Sequence, residues 1–206
     1  MNEALREHWQ TVYRDKGEAQ TSWFRAHLDE SLRLIDALAL AASTPIIDVG
    51  AGRSTLVDDL LARGFSQITA LDIAEPALAA ARARLGEQAA RVHWLVTDVL
   101  EAEFAPAQFG LWHDRAVFHF LVDAGARQSY VEQCARAVRG GGYAIVATFA
   151  ADGPQRCSAL PVQRYDADAL AAAFAPHFAL RDRSAETHRT PWDAAQAFTY
   201  VVLQRN

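Results

Sequence analysis

The stretch IIDVGAGRSTL, residues 46–56, constrains the fold more than any other part of the chain. An apolar run suited to a buried strand meets an acid, then two glycines one residue apart, then a helical pattern. Gly50 and Gly52 lack Cβ atoms, so the backbone can turn tightly there and a ligand can lie against it. Asp72, twenty residues beyond Gly52, closes the next apolar run. A strand's carboxyl end at that point would present a carboxylate to ribose hydroxyls. The layout predicts a nucleotide-sized pocket. The loop's third small position is Ser54, where a dinucleotide fingerprint wants glycine.

Strand-like runs at 46–49, 68–71, 92–96, 110–113 and 143–149 alternate with helical patterns at 55–63, 76–85 and 127–138. Such alternation implies right-handed crossovers. The expected fold is α/β, a doubly wound, mostly parallel seven-stranded sheet with helices on both faces. The end of the chain breaks the rhythm. Residues 178–184 and 198–204 read as strands joined by a loop containing Pro191, which predicts an antiparallel terminal strand pair. Helical patterns over 3–14 and 28–42 predict an N-terminal helical cap, residues 1–42. Residues 150–165 form a polar loop after the fifth strand, placed over the pocket on the substrate side. No repeat or low-complexity linker is visible, so 1–206 reads as a single domain.

A chain of 206 residues that is 51% apolar can bury a sizeable core. No apolar run reaches the about 18 residues of a membrane span. The first twenty residues carry charges where a signal peptide would be apolar, so a cytoplasmic protein away from membranes is expected. Cys134 and Cys157 are too few for a disulfide framework and match no zinc spacing, so no metal is expected. A net charge of −5 without a dense basic run argues against nucleic acid as a partner. Monomer and homodimer both stay open.

Taken together, these residues resemble the class I S-adenosylmethionine-dependent methyltransferases over most of the chain. DVGAG looks like that family's glycine loop, LDI its ribose-binding acid, TDV its adenine-contacting acid, and RGGGY its turn before the fifth strand. GAGRSTL followed by ITALDI is similar to a branch with Ser at the third small position, which includes eukaryotic protein-lysine methyltransferases. Its W-x-x-x-Y opening is matched by Trp9 and Tyr13, and its aromatic pair by Trp23 and Phe24. That branch has an Asp-Lys-Gly-type segment after the fourth strand, where this chain has HDRAVFHF.

The resemblance implies S-adenosyl-L-methionine as cofactor and S-adenosyl-L-homocysteine as product. The cofactor would contact Asp48, Gly50, Ala51, Gly52, Ser54, Asp72, Ile73, Asp98, Val99, His113 and Trp23. Asp72 would accept from both ribose hydroxyls and Asp98 from the adenine amino group. From the residues alone, Asp98 has the alternative of a helix N-cap or turn acid, Asp48 that of an organiser of the loop, and Ser54 reads as a helix N-cap. Arg53 either pairs with the cofactor carboxylate or faces solvent.

His113 and His119 are the candidate catalytic residues, because imidazole titrates near neutrality. One of them could instead be a hydrogen-bonded core or helix-end histidine. Arg115, Arg156, Arg164 and Tyr165 are the substrate-side candidates. The expected reaction is methyl transfer to an acceptor, a small molecule first and a protein lysine second. An NAD-dependent oxidoreductase would share the glycine turn but prefer Gly at position 54. A non-catalytic cofactor-binding protein is the third alternative.

Overall fold

The structure is a computed structural model that describes residues 3–17 and 20–206, so the expected 1–42 cap is covered except at 1–2 and 18–19. The chain divides into two compact units, Met1–Glu103 and Phe104–Asn206. The main sheet has seven strands. No helix among the described residues is long and apolar enough to cross a membrane.

The first unit holds α1 (Glu3–Asp15), α2 (Asp29–Ala37), β1 (Ile46–Val49), α3 (Leu56–Ala62), β2 (Ile68–Asp72), α4 (Glu75–Leu85) and β3 (Val92–Val96). Every residue of β1 and β2 is buried, as expected of parallel strands covered on both faces. The parallel register sets Val49 beside Leu71 and Asp72 beside Val96, which aligns the carboxyl ends of the three strands. Pro76 sits in the first turn of α4, where its missing N–H removes no helical bond. The expected helix over 28–42 stops at Ala37. Ala39 takes a left-handed φ of 46°, and its N–H donates to the Asp36 carbonyl to close the turn.

The second unit holds β4 (Phe109–Arg115), α5 (Ala124–Ala137), β5 (Val138–Phe149), the short β6 (Arg156–Cys157) and β7 (Leu160–Pro161), α6 (Ala167–Phe174), β8 (Phe178–Arg189) and β9 (Ala195–Arg205). β4 and β5 run parallel, while β9 is antiparallel to both β5 and β8. The antiparallel finish therefore stands, with β9 lying between β5 and β8. The sequence pattern missed α6, whose Ala-rich body carries little periodicity; Asp166 caps it by accepting from the Ala169 N–H at 2.7 Å. Asp123 caps α5 in the same way at 2.9 Å, which starts that helix three residues earlier than its apolar pattern predicts.

Candidate functional site

In the first unit, the chain leaves β1 through Gly50 and Gly52 at φ 68° and 55°, a region that costs L-residues strain. The loop is fastened to the end of β2. The Ala51 N–H donates to the Leu71 carbonyl at 2.9 Å, and the Gly52 N–H donates to Asp72 Oδ2 at 2.9 Å. The other Asp72 oxygen accepts from the Ala74 N–H at 2.8 Å. One carboxylate thus joins the glycine loop to the turn after β2.

Asp72 is 5% exposed. Burial pushes its pKa up to about 6, held back by the Ala74 and Gly52 N–H groups and raised further by the nearby buried Asp48. A carboxylate offers about four acceptor directions. The Gly52, Ala74 and Ile73 N–H groups all serve this carboxylate, which leaves acceptor capacity for a hydroxyl donor. That geometry fits a ribose hydroxyl.

Ser54 is not the N-cap of α3. That position belongs to Thr55, whose hydroxyl donates to the Ala26 carbonyl at 2.6 Å. Ser54 Oγ instead accepts from the Leu56 N–H at 3.1 Å, bracing the turn that leads into the helix. The Arg53 guanidinium donates to the carbonyls of Tyr13 and Lys16 and sits 5.4 Å from the Tyr13 ring centroid. A cation at those carbonyls suits the negative end of α1.

Arg84, on α4, went unread in the sequence. It donates to the Arg53 carbonyl at 2.8 Å and the Ser54 carbonyl at 2.7 Å, and it grips both oxygens of Asp58. A basic residue in a last helical turn normally reads as a match to the helix dipole, so nothing in the pattern marks it. Asp98 does serve as a turn acid, accepting from the Leu100 N–H at 3.0 Å, with Val99 buried beside it. Half-buried Ile73 follows Asp72 directly. Trp9, Tyr13 and Trp23 gather with ring centroids 5.7 to 6.2 Å apart, and the Tyr13 hydroxyl lies against Gly52.

In the second unit, successive residues of β4 face opposite sides, so His113 and Arg115 share one face and Asp114 takes the other. Asp114 is fully buried and structural. It accepts from the Val117 and Phe118 N–H groups at 2.8 and 3.0 Å and from the Tyr130 hydroxyl. Tyr130 in turn accepts from Trp112 Nε1 at 2.9 Å. Burial pushes the Asp114 pKa up to about 6, opposed by these donors, with Tyr130 the strongest of them.

His119 is fully buried and its pKa falls to about 3, chiefly through burial and secondarily through the Arg115 charge. Its Nδ1 accepts from the Phe149 N–H at 3.4 Å, so the proton of the neutral ring resides on Nε2. Arg115 Nε donates to Tyr200 Oη at 3.0 Å, Tyr200 donates to Glu186 at 2.9 Å, and Arg115 Nη2 lies 3.6 Å from Glu186 Oε2. His119 and Arg115 thus occupy one neighbourhood. Arg156 and Arg164 do not join it: exposed Arg156 turns back onto the Ala159 carbonyl and Arg164 donates to the Gly153 carbonyl at 2.9 Å. Tyr165 is buried, with its ring 5.7 Å from that of Phe118.

Residues 46–142 match the methyltransferase domain family. No curated protein matches the chain. Among solved structures, one from work on conversion of a disulfide bond into a thioacetal group during echinomycin biosynthesis superposes with a TM-score of 0.78. It is 18% identical and covers 98% of this chain and 92% of its own. The 1,6-didemethyltoxoflavin-N1-methyltransferase of Burkholderia thailandensis, with 1,6-didemethyltoxoflavin and S-adenosylhomocysteine bound, superposes with a TM-score of 0.77. It is 24% identical and covers 98% of this chain and 87% of its own. The N-methyltransferase NodS of Bradyrhizobium japonicum WM9, in complex with S-adenosylhomocysteine, gives a TM-score of 0.70 at 14% identity, covering 96% of this chain and 98% of its own. Just under half of the chain thus matches the methyltransferase domain model, and the chain has the fold of the class I S-adenosylmethionine-dependent methyltransferases.

Proposed function

We propose that residues 1–206 work as one domain that moves a methyl group from S-adenosyl-L-methionine to a small-molecule acceptor, leaving S-adenosyl-L-homocysteine. The observation that carries this reading is Asp72, which fastens the glycine loop through the Gly52 N–H yet keeps acceptor capacity for a ribose hydroxyl at the end of β2. Two structural neighbours hold S-adenosylhomocysteine and one of them a small heterocyclic acceptor, which supports the donor and the acceptor class. The net charge of −5 supports a non-nucleic-acid acceptor.

When bound, the cofactor supplies a methyl group on a positively charged sulfur. In this reading Asp48, Gly50, Ala51, Gly52 and Ser54 hold its methionine part, Asp72 its ribose, and Ile73, Asp98 and Val99 its adenine. Trp23, with Trp9 and Tyr13, shields it from water. Positive charge on sulfur disappears during an in-line displacement, so the protein's main contributions are alignment and exclusion of water. If the acceptor must lose a proton, His113 is the proposed recipient. The Nδ1 lone pair of His119 already faces a backbone N–H, which makes His119 a donor rather than a base.

The test is a thermal-shift and calorimetric panel of S-adenosylmethionine, S-adenosylhomocysteine and NAD, since a ligand stabilises what it binds. S-adenosylhomocysteine is expected to raise Tm and NAD to leave it unchanged. The reverse pattern would replace the reading with an oxidoreductase.

A further inference from the structure

Around the edge-to-face rings of Phe149 and Phe198, whose centroids are 4.9 Å apart at an interplanar angle of 68°, the second unit buries polar atoms without hydrogen-bond partners. The Arg115 guanidinium lies 4.4 Å from the Phe198 centroid, and the His119 ring lies 4.9 Å from that of Phe149. Gln196 stands two residues from Phe198 on the same face of β9, opposite His188 of β8. Arg115 Nη2, His119 Nε2 and Gln196 Oε1 are each buried without a hydrogen-bond partner. The Arg115 side chain is 6% exposed, Gln196 is 8% exposed and His119 is fully buried. Buried polar atoms are nearly always paired, so three around one pair of rings call for a cause.

The chemistry of the missing partner follows from what each atom offers. His119 Nε2 carries the ring proton and donates, because Nδ1 already accepts from Phe149. Arg115 donates, but its charge is balanced by Glu186 at 3.6 Å, which leaves the cluster near neutrality and unsuited to a polyanion. Gln196 Oε1 accepts. The loop after β5 is tied across this place, with the Gln163 N–H on the His119 carbonyl at 2.7 Å and the Tyr165 N–H on the Phe149 carbonyl at 3.1 Å.

We propose that Arg115, His119 and Gln196 form the acceptor subsite, taking a flat, uncharged heterocycle that presents a carbonyl oxygen to the two N–H donors and a ring N–H to Gln196, against the Phe149 and Phe198 rings. This rests on the methyl-transfer reading and gives its small-molecule acceptor a chemical class. His119 then orients the acceptor oxygen and takes no proton from it.

The test uses the full chain, labelled with 15N-histidine and saturated with S-adenosylhomocysteine, with uracil as the neutral lactam probe and benzoate as a planar anion. Uracil is expected to shift the His119 Nε2–H signal saturably, with the signal identified by its loss in H119F. Gln196→Ala and Arg115→Lys are expected to weaken uracil binding about fivefold or more while the affinity for S-adenosylhomocysteine stays near that of the parent. No shift with either probe would leave the three atoms serving ordered water only and overturn the proposal. A response to benzoate but not to uracil would overturn the uncharged class. Absence of S-adenosylhomocysteine binding would sink the methyl-transfer reading instead, and the uracil signal would still decide the subsite.

Discussion

The Tyr13 hydroxyl stands 2.6 Å from the point that a Cβ on Gly52 would occupy. The N-terminal helix therefore rests directly on the backbone of the glycine loop. Gly52→Ala meets that oxygen and also forces an alanine to φ 55°, a strain of about 1–2 kcal/mol. Adding Tyr13→Phe should recover part of the loss and leave the backbone share. Urea denaturation of the two single variants and the double variant measures the coupling; strict additivity would show that the hydroxyl contact contributes nothing.

Asp72, with its pKa pushed up to about 6, should make cofactor affinity depend on pH. Above that value the carboxylate accepts from the backbone N–H groups and a ribose hydroxyl; below it a proton occupies one acceptor site. Affinity for S-adenosylhomocysteine is expected to hold from pH 8 to 7 and to fall as pH drops through 6, by calorimetry. Asp72→Ala should weaken binding more than tenfold and flatten the profile. An affinity unchanged by that substitution would remove Asp72 from the site.

Arg84 holds the carbonyls of Arg53 and Ser54, and in the proposed reading it would act on the cofactor through that loop. Arg84→Ala should lower S-adenosylhomocysteine affinity by about tenfold, the equivalent of one charge-assisted hydrogen bond of about 1.4 kcal/mol. Lysine cannot bridge two carbonyls and both Asp58 oxygens at once, so Arg84→Lys should restore little. Equal affinities in all three proteins would reduce Arg84 to a surface ion pair.

Tyr130→Phe removes the hydroxyl that donates to Asp114 and accepts from Trp112. The donation favours the ionised carboxylate, whose pKa already lies near 6. At pH 8 the variant keeps a buried charge with one donor fewer, a loss of about 1.5–3 kcal/mol. At pH 5 the acid takes up a proton in the variant and part of that loss vanishes. Urea midpoints should differ more at pH 8 than at pH 5, and the opposite order would refute this charge state.

His119 has the opposite sign. Its folded pKa of about 3 lies below the unfolded value of 6.5, so the unfolded chain binds more protons between the two. Stability is lost as pH falls through that window. His119→Asn should flatten this acid limb relative to the parent, as read from Tm between pH 7 and 4. Parallel curves would mean that His119 is charged or exposed in the folded protein.

The alternation of apolar runs and amphipathic patterns made the fold legible, because buried parallel strands and crossover helices leave separate periodicities. Asp72 and the two glycines were legible for the same reason, lying at a strand end where chain reversal demands particular residues. The roles of Arg53 and Arg84 were not. A long side chain reaches carbonyls about thirty to forty positions away in sequence, and no local pattern records that reach. His119 was visible as a candidate, but its role turned on which ring nitrogen meets the Phe149 N–H, a fact of packing alone.

The strand order carries one consequence for how the protein is made. β8 precedes β9 in the chain, yet β9 is the strand that pairs with β5, and among the described residues β8 pairs only with β9. During synthesis β8 emerges with a ladder of unmet N–H and C=O groups and must wait for its neighbour. Until Ala195–Arg205 clears the ribosome, β5 offers a bare sheet edge of the kind that recruits strands from other chains. Nascent chains stalled before residue 195 are therefore the form of this protein most in need of a chaperone.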